Sequence, residues 1–289
     1  MSEAKSQAYE AKAVDKANVN AWDDPVLSDM VDTEARRNRV MRQLSRQVVN
    51  IADAPTDTYK ARSRGSLDAA SQSENTQITS EDISHSTTDI TVSKYGKRTT
   101  LTTEGEEDGM GTQAEEIQTE LGVALADKED QEAYNTVANT ALTNVNTQDN
   151  ATDGKVQYTD LNQLRAKLHS DGYDPDAVIV HPDFEADLLN DNKVIDNDYS
   201  DEKGADTGEF GSVLGMTVYM TRAANGASST SGDVVAVMLD SDHAFDTVIK
   251  RSPTVETERE PDYDRWQIVG TMRFGHGVIN EKAIGHVVN

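Results

Sequence analysis

Apolar residues in this chain come in short, separated stretches whose spacing changes along its length. The first stretch holds Leu27, Met30, Val31, Val40, Met41, Leu44 and Val48. It fits one side of a helix that Asp24 caps and Pro25 opens, predicted to run towards Ile51. Residues 1–21 ahead of it are polar and are expected to order only against partners. Thr76 to Thr103 then reads as a Ser/Thr-rich hairpin with turn chemistry at Lys94-Tyr95-Gly96-Lys97. Its apolar content is little more than Ile78, Ile83, Ile90, Val92, Tyr95 and Leu101. Two-stranded hairpins are marginal in water unless something covers them, so this one is expected to lie on another copy of the protein.

Gly105 to Gly111 follows as an acidic, flexible joint. A second helix is predicted from about Thr112 to Leu142, with Thr112 and Glu115 as its capping box. Ile117, Leu121, Leu125, Tyr134, Val137, Ala138, Ala141 and Leu142 recur in it at helical spacing. One narrow stripe on a rod of roughly 45 Å suggests a beam laid across a sheet.

From Tyr158 the pattern becomes α/β. Thr159 or Asp160 caps a short helix carrying Leu161, Leu164 and Leu168, which stops at Asp171-Gly172. Ala177 to Val180 reads as a buried strand, and Pro182 opens a second short helix through Phe184, Leu188 and Leu189. An acidic loop, Asn190 to Glu209, leads to a strand from Val213 to Met220. The Gly/Ser-rich turn Ala223 to Gly232 leads to another, Val234 to Leu239. Thr254 to Arg259 and Trp266 to Phe274 form a hairpin turning at Glu260-Pro261-Asp262-Tyr263-Asp264, and an end strand is predicted from Val278.

Charge changes this picture more than composition does. The chain has 289 residues, enough for one large domain or two small ones, and sets 52 acidic against 27 basic residues for a net charge of −25. Such a field repels nucleic acid and anionic membranes. High charge with low hydrophobicity also marks disordered chains, but the periodic apolar segments argue against that for most of the length. Hypersaline solvent, where counterions screen the repulsion, explains a folded chain this acidic. The absence of cysteine excludes disulfides, thiolate metal sites and a Cys nucleophile. No apolar h-region opens the chain, and its longest apolar run, Val234 to Leu239, is far too short to span a bilayer. A soluble chain with no visible address is expected.

Candidate chemistry is sparse. Arg36, Arg37, Arg39, Arg42 and Arg46 form the one strong basic cluster. It fits contact with packaged nucleic acid or an acidic partner surface, and equally a solvated face paired with local carboxylates. Asp240-Ser241-Asp242-His243 and His181-Pro182-Asp183 could be drawn as acid/base or metal clusters. They read better as a strand-end turn and a helix start, where Asp and Ser cap exposed amides. Asp196, Asp198 and Asp201 suggest a loose cation site, although the EF-hand pattern fails for want of Gly at its sixth position and Glu at its twelfth. Nucleophile-elbow, P-loop and dinucleotide fingerprints are absent, and the Gly-His-Gly within Gly270 to Gly277 reads as a strand bend. No cofactor is expected.

The block DAVIVHPDFEADLL, the phrase GSVLGMTVYMT, the strand and turn GDVVAVMLDSDHAF and the ending VETEREPDYDRWQIVGTMRFGHGVINEKAI occur in that order. Together, and following the hairpin and long helix, they resemble the major capsid protein of tailed viruses. The resemblance covers about Ala52 to the C-terminus and implies an α+β chain of the Hong Kong 97-type fold, shared with encapsulin compartments and herpesvirus capsid floors. On that pattern residues 1–55 are an N-terminal arm and helix, 56–104 the extended E-loop, and 105–155 a peripheral domain with the spine helix. Residues 156–245 are the axial domain, 246–277 the peripheral-domain strands, and 278–289 a return strand to the axial domain.

The implied function is structural, not enzymatic. Many copies meet as pentamers and hexamers in an icosahedral shell around double-stranded DNA, as a virion component assembled in the host cytoplasm. The partners implied are other copies, a portal, minor or decoration proteins, and DNA through limited inner-surface contacts, with no membrane. The acidic balance points to a tailed virus of a haloarchaeon or other halophile. An encapsulin-like shell is the alternative within the fold, and an acidic halophilic hydrolase the alternative outside it. Some members cross-link an E-loop lysine to an asparagine in the peripheral hairpin turn, assisted by a glutamate. Lys94 and Lys97, at the expected E-loop tip with Tyr95 and Gly96, match the donor, but the turn Arg259 to Trp266 has no Asn. Covalent linkage is therefore not expected.

Overall fold

The run Ala-Val-Ile-Val at 177–180 has no polar residue, which suits a strand buried on both faces. In the computed structural model it is a central strand, buried at all four positions. The structure describes residues 40–288 apart from 66–68, 70, 72, 76, 79, 81, 109–112, 140–145, 150–154, 186–187, 189–211 and 225–232. These residues form two units. One contains Lys94–Lys128 and Arg251–Arg273, and the other Val40–Ser93, Glu129–Lys250 and Phe274–Asn289.

The larger unit is built on a six-stranded sheet. Its strands are β5 (Asn146–Asp149), β6 (Ala177–Val180), β7 (Ser212–Val213), β8 (Met216–Met220), β9 (Val234–Leu239) and β12 (Ile284–Val288). They lie in the order β5-β12-β9-β6-β8-β7. β12 runs parallel to β5 and antiparallel to β9, while β6 is antiparallel to β9 and parallel to β8. Alternation along β6 separates two cores. Val178 and Val180 meet Leu161, Leu164 and Leu168 of helix α3 (Tyr158–Ser170) together with Phe184 and Leu188. Ala177 and Ile179 meet Met41, Leu44, Ala133, Tyr134, Val137 and Phe245. Gln157 caps α3, and the Asp160 side chain reaches back to the Gln157 amide, which places the cap just ahead of the predicted Thr159 or Asp160. β7 and β8 are joined by a tight turn with positive φ at Leu214 (58°) and Gly215 (78°). The single predicted strand from Val213 to Met220 is thus a two-strand hairpin.

The smaller unit contains β4 (Ser93–Thr102), a short helix α1 (Thr103–Asp108), the N-terminal part of α2 (Gln113–Val137), and the facing parts of β10 (Phe245–Glu260) and β11 (Arg265–Val278). Leu101, Leu121, Leu125, Ala126, Val255, Ile268 and Met272 are its buried apolar residues among those described. The β10–β11 turn falls where the sequence places it, at Pro261–Tyr263, and Asp264 closes it with φ 45°. Thr103 ties that turn down, its amide and hydroxyl donating to the Asp264 carbonyl at 3.0 Å.

Four further expectations fail. The described part of the helix predicted to reach Ile51 is not α-helical: it holds a 3-10 turn, Met41–Leu44, and then strand β1 (Gln47–Asn50), which pairs in parallel with Asp246–Ile249 of β10. Ser45 is extended at φ −79°, ψ 137°, and its hydroxyl donates to the Arg42 carbonyl, so the 3-10 turn ends before the β-branched pair Val48-Val49. Lys94-Tyr95-Gly96-Lys97 is not a turn but the middle of β4. Gly96 marks a close approach, since a Cβ there would stand 2.9 Å from the Gly270 carbonyl oxygen. Residues 105–108 of the expected joint belong to helix α1, and the end strand starts at Ile284 because β11 itself runs to Val278. The predicted arm 1–21, the helix start at Asp24, the capping box at Thr112 and the acidic loop from Asn190 to Glu209 lie outside the described residues.

Candidate assembly arm and its ionic anchors

The hairpin of this protein lies earlier than its sequence suggests. β2 (Thr58–Arg64) pairs antiparallel with β3 (His85–Thr91) in unbroken register from Thr58↔Thr91 to Arg64↔His85. The amide of Gly65 donates to the Ser84 carbonyl at 2.9 Å and closes the ladder, leaving residues 66–83 as its loop. Most side chains on both strands are hydroxyl, charged or small, and only Ala61 and Ile90 are buried on them. Ser63 and Ser86 share a hydrogen bond at 3.1 Å, and Lys60 faces Asp89 at 4.0 Å.

The root of the hairpin is built differently from its outer part. Ala61, Ile90, Val92 and Val248 form a small core with Val49, Tyr59 and Ile279 against it. Glycine makes the close packing possible: a Cβ at Gly275 would collide with the Thr91 backbone, and one at Gly277 with the Ile90 side chain. Lys250 Nζ donates to the Thr56 carbonyl at 2.7 Å and to Asp57 Oδ1 at 2.6 Å, fixing the entry into β2. Beyond the root, Ile78 is 76% exposed and Ile83 41%. The hairpin is held firmly at one end and carries unburied apolar side chains at the other.

Two arginines of the basic cluster are committed inside the subunit. Arg46 donates through Nε and Nη2 to the two carboxylate oxygens of Asp246 at 2.8 and 2.5 Å, and Asp246 is fully buried. The hydrogen bonds to Asp246 raise the Arg46 pKa still further. Arg42 makes the same bidentate pair with Glu129 at 2.6 and 2.8 Å, and Glu129 is also fully buried. Asp130 accepts the amides of Val40 and Met41 at 2.8 and 3.1 Å. Sequence reading missed all three acids, although Glu129 and Asp130 stand on the apolar stripe of α2, between Leu125 and Tyr134, where a solvated charge does not belong. Arg36, Arg37 and Arg39 lie outside the described residues, as do Asp196, Asp198 and Asp201.

Two histidines share this interior. His276 packs beside Phe245 and Phe274, with ring centroids 6.4 and 5.3 Å apart, and hydrogen-bonds Thr247 Oγ1 at 3.1 Å. Burial, reinforced by the Arg42 charge and only partly offset by the Glu129 backbone, pushes its pKa down to about 3. His286 donates from Nε2 to the Val137 carbonyl at 2.6 Å, and burial lowers its pKa too. Folding favours the neutral form of both, while in the unfolded chain they bind protons near pH 6.5. Stability therefore falls as pH drops below about 6.5, and for His276 goes on falling towards about 3. Urea midpoints measured at pH 7, 6 and 5 should decrease, with each histidine steepening the profile by up to about 1.4 kcal/mol per pH unit. His276→Gln should make the profile shallower, and an unchanged slope would contradict this assignment.

The two clusters that resembled catalytic sites are caps. Asp240 accepts the Asp242 amide at 3.1 Å and the His243 ring at 3.0 Å, and Asp176 accepts the Ser241 amide at 2.8 Å. His181 Nδ1 accepts the Asp183 amide at 3.2 Å, opening the 3-10 turn at Pro182. Among the described residues, no group of three or more His, Asp or Glu side chains could hold a metal.

Residues 85–287 match the family of phage capsid proteins. The chain belongs to that family. Its matched segment begins at β3 and takes in both units, so the hairpin's return strand, α2 and the six-stranded sheet all fall within it. The fold agrees with solved capsid structures. The capsid of cyanophage P-SCSP1u superposes with a TM-score of 0.69 at 17% identity, over 86% of this chain and 88% of that one. The mature capsid of bacteriophage PhiM1 gives 0.63 at 14% identity, over 87% of each chain. A structure from Mycobacterium phage Adephagia gives 0.63 at 14%, over 86% and 88%. No curated protein matches the chain. Among the described residues, no helix is long and apolar enough to cross a membrane.

Proposed function

We propose that this member of the family is a major capsid protein of the Hong Kong 97 type, assembling as pentamers and hexamers into an icosahedral shell around double-stranded DNA. The observation that carries the reading is the β2–β3 hairpin, rooted in a small core yet ending in a loop whose Ile78 stays 76% exposed. Such an element gains free energy only by meeting another surface. In this reading the hairpin is the extended loop, α2 the spine helix, the smaller unit the peripheral domain, and the six-stranded sheet with α3 the axial domain. The role is structural, with no catalytic step. Arg36, Arg37 and Arg39 are left as the inner-surface DNA contacts, since Arg42 and Arg46 are spent on Glu129 and Asp246. A portal and minor or decoration proteins complete the particle, which assembles in the host cytoplasm. Negative-stain microscopy of purified protein in molar salt should show closed shells, and dispersed subunits at every salt concentration would overturn the proposal.

The charge of −25 supports a halophilic host, such as a haloarchaeon, with Asp196, Asp198 and Asp201 available to bind a cation. Lowering the salt from molar to ~0.1 M lengthens the Debye length from about 3 to about 10 Å, so carboxylates on neighbouring copies begin to repel. Light scattering during dialysis should report disassembly. Shells that persist in dilute, divalent-free buffer would refute the halophilic origin while leaving the capsid role standing.

Covalent cross-linking is not expected. The loop from Gly65 to Ser84 contains no lysine, and the turn from Arg259 to Trp266 contains no asparagine, so both partners of the family's cross-link are missing. Particles boiled in detergent should run as single chains of 31.6 kDa. A ladder of multiples would show that other residues have taken over the chemistry.

A further inference from the structure

The two faces of strand β2 differ. Tyr59 and Ala61 pack into the root of the hairpin, whereas Lys60, Arg62 and Arg64 alternate with them and are exposed. Hydrogen bonding puts the same three residues on an open edge. The Val92 amide donates to the Asp57 carbonyl at 2.9 Å, and the Gly65 amide to the Ser84 carbonyl at 2.9 Å. Bonded pairs alternate along an antiparallel ladder, and the register between these two is unbroken. Tyr59, Ala61 and Ser63 therefore turn their backbone groups to β3, and Lys60, Arg62 and Arg64 turn theirs away. Thr58 points the same way, but the Thr56 hydroxyl closes off its amide and carbonyl at 3.1 and 3.2 Å. Among the described residues no strand pairs with this edge, and Arg62 and Arg64 make no ion pair. Lys60 approaches Asp89, the one acid of the ladder, only to 4.0 Å.

We infer that the open edge of β2 receives an extended acidic segment of a protein other than this chain, added as a strand with an acid opposite each of Lys60, Arg62 and Arg64. The inference rests on the capsid reading for the class of that protein, an accessory component of the particle, and deepens it by naming the receiving edge and the chemistry of the segment. Charge comes first. In a chain of net charge −25, three exposed cations at alternate positions of one strand are a local reversal of sign. Residues opposite them on an added strand share their face, so acids at every second position, about 7 Å apart, meet all three. Backbone chemistry comes second: a strand satisfies the outward amides and carbonyls, for which a nucleic acid has no matching ladder. Place comes third. The ladder is seated on its own subunit through Ala61, Ile90 and Val248, and in the proposed role it is the loop beyond Gly65 and Ser84 that reaches a neighbouring copy. Cations on an open edge also turn away neutral and basic strands, which keeps the edge free for its partner.

The probe is a fluorescent seven-residue peptide with glutamate at its second, fourth and sixth positions and threonine or valine between. Fluorescence anisotropy at the lowest salt at which shells persist should show it binding assembled shells at least about tenfold more tightly than a peptide of the same composition with its glutamates adjacent. Methylating the three glutamate nitrogens should weaken binding by at least about tenfold while leaving every charge in place. Arg62→Glu should weaken it by about tenfold, and a peptide with lysine at its fourth position should recover the loss. Equal binding of the two peptides, indifference to methylation, or displacement by duplex DNA at equal charge concentration would overturn the inference. So would loss of shell assembly in Arg62→Glu, since the edge would then belong to contact between copies. If the unaltered protein forms no shells, the capsid reading fails, and the same measurements on the dispersed subunit decide the edge.

Discussion

Replacing residues 66–83 by an Asn-Gly turn should abolish closed shells while leaving the isolated subunit about as stable as before, within about 0.5 kcal/mol. The ladder below the cut remains complete, from Thr58↔Thr91 to Arg64↔His85, and Gly65 and Ser84 already approach closely enough for a two-residue turn. Among the described residues, the small core at the root consists of Ala61, Ile90, Val92 and Val248, none of which is removed. On the proposed role, what disappears is contact with the next subunit, where backbone pairing and side-chain pairs would contribute about 0.2–1 kcal/mol each and be repeated around the shell. Circular dichroism and urea unfolding of the subunit, set against negative stain of the assembly reaction, separate the two effects. A shortened chain that still closes shells, or one that no longer folds, would remove the hairpin from its role as an arm.

The opposite pattern is expected for Arg46→Ala. It leaves the fully buried Asp246 facing only Gln47, whose Nε2 donates to it at 2.8 Å, and the subunit should lose about 3–5 kcal/mol. Arg42→Ala should cost a similar amount by orphaning Glu129. By contrast, breaking the exposed Lys60–Asp89 pair, with 71% and 56% of those side chains in solvent, should change stability by under about 1 kcal/mol. Urea unfolding of the subunit without nucleic acid measures all three. If Arg46→Ala unfolds like the unaltered subunit yet impairs genome retention, the arginine serves DNA and not the fold.

How much was legible follows from where information is local. Two central strands of the six-stranded sheet could be read because Ala177–Val180 and Val234–Leu239 are apolar runs whose environment needs no distant partner to be recognised. The turn at Pro261 carried its own chemistry, and α2 its own period. Misreadings arose where the decisive contact is far away in sequence. Gly96 resembles a turn glycine until Gly270 is seen against it. Met41 and Leu44 continue a helical period from Leu27 onwards, yet their burial depends on Tyr134, Val137 and Phe245. β2 stayed hidden because Tyr59 and Ala61 are its whole apolar signal, and its partner β3 is separated from it by the twenty residues 65–84. The arginines looked like a surface patch because their acids, Glu129 and Asp246, lie 87 and 200 positions away.

The position of β12 has a consequence for the timing of synthesis. This strand, Ile284–Val288, lies between β5 and β9 and buries Ile284, Val287 and His286, although it is the last of the six to be made. At about 5–20 residues per second, a ribosome that has finished β9 needs several more seconds to deliver it. Throughout that interval the edges of β5 and β9 stay open and the sheet is incomplete. A nascent chain therefore cannot present a finished subunit to its neighbours ahead of time. Under the proposed role, contact with neighbouring copies waits until β12 has been made, and a chain that lacks it lacks the strand that joins β5 to β9.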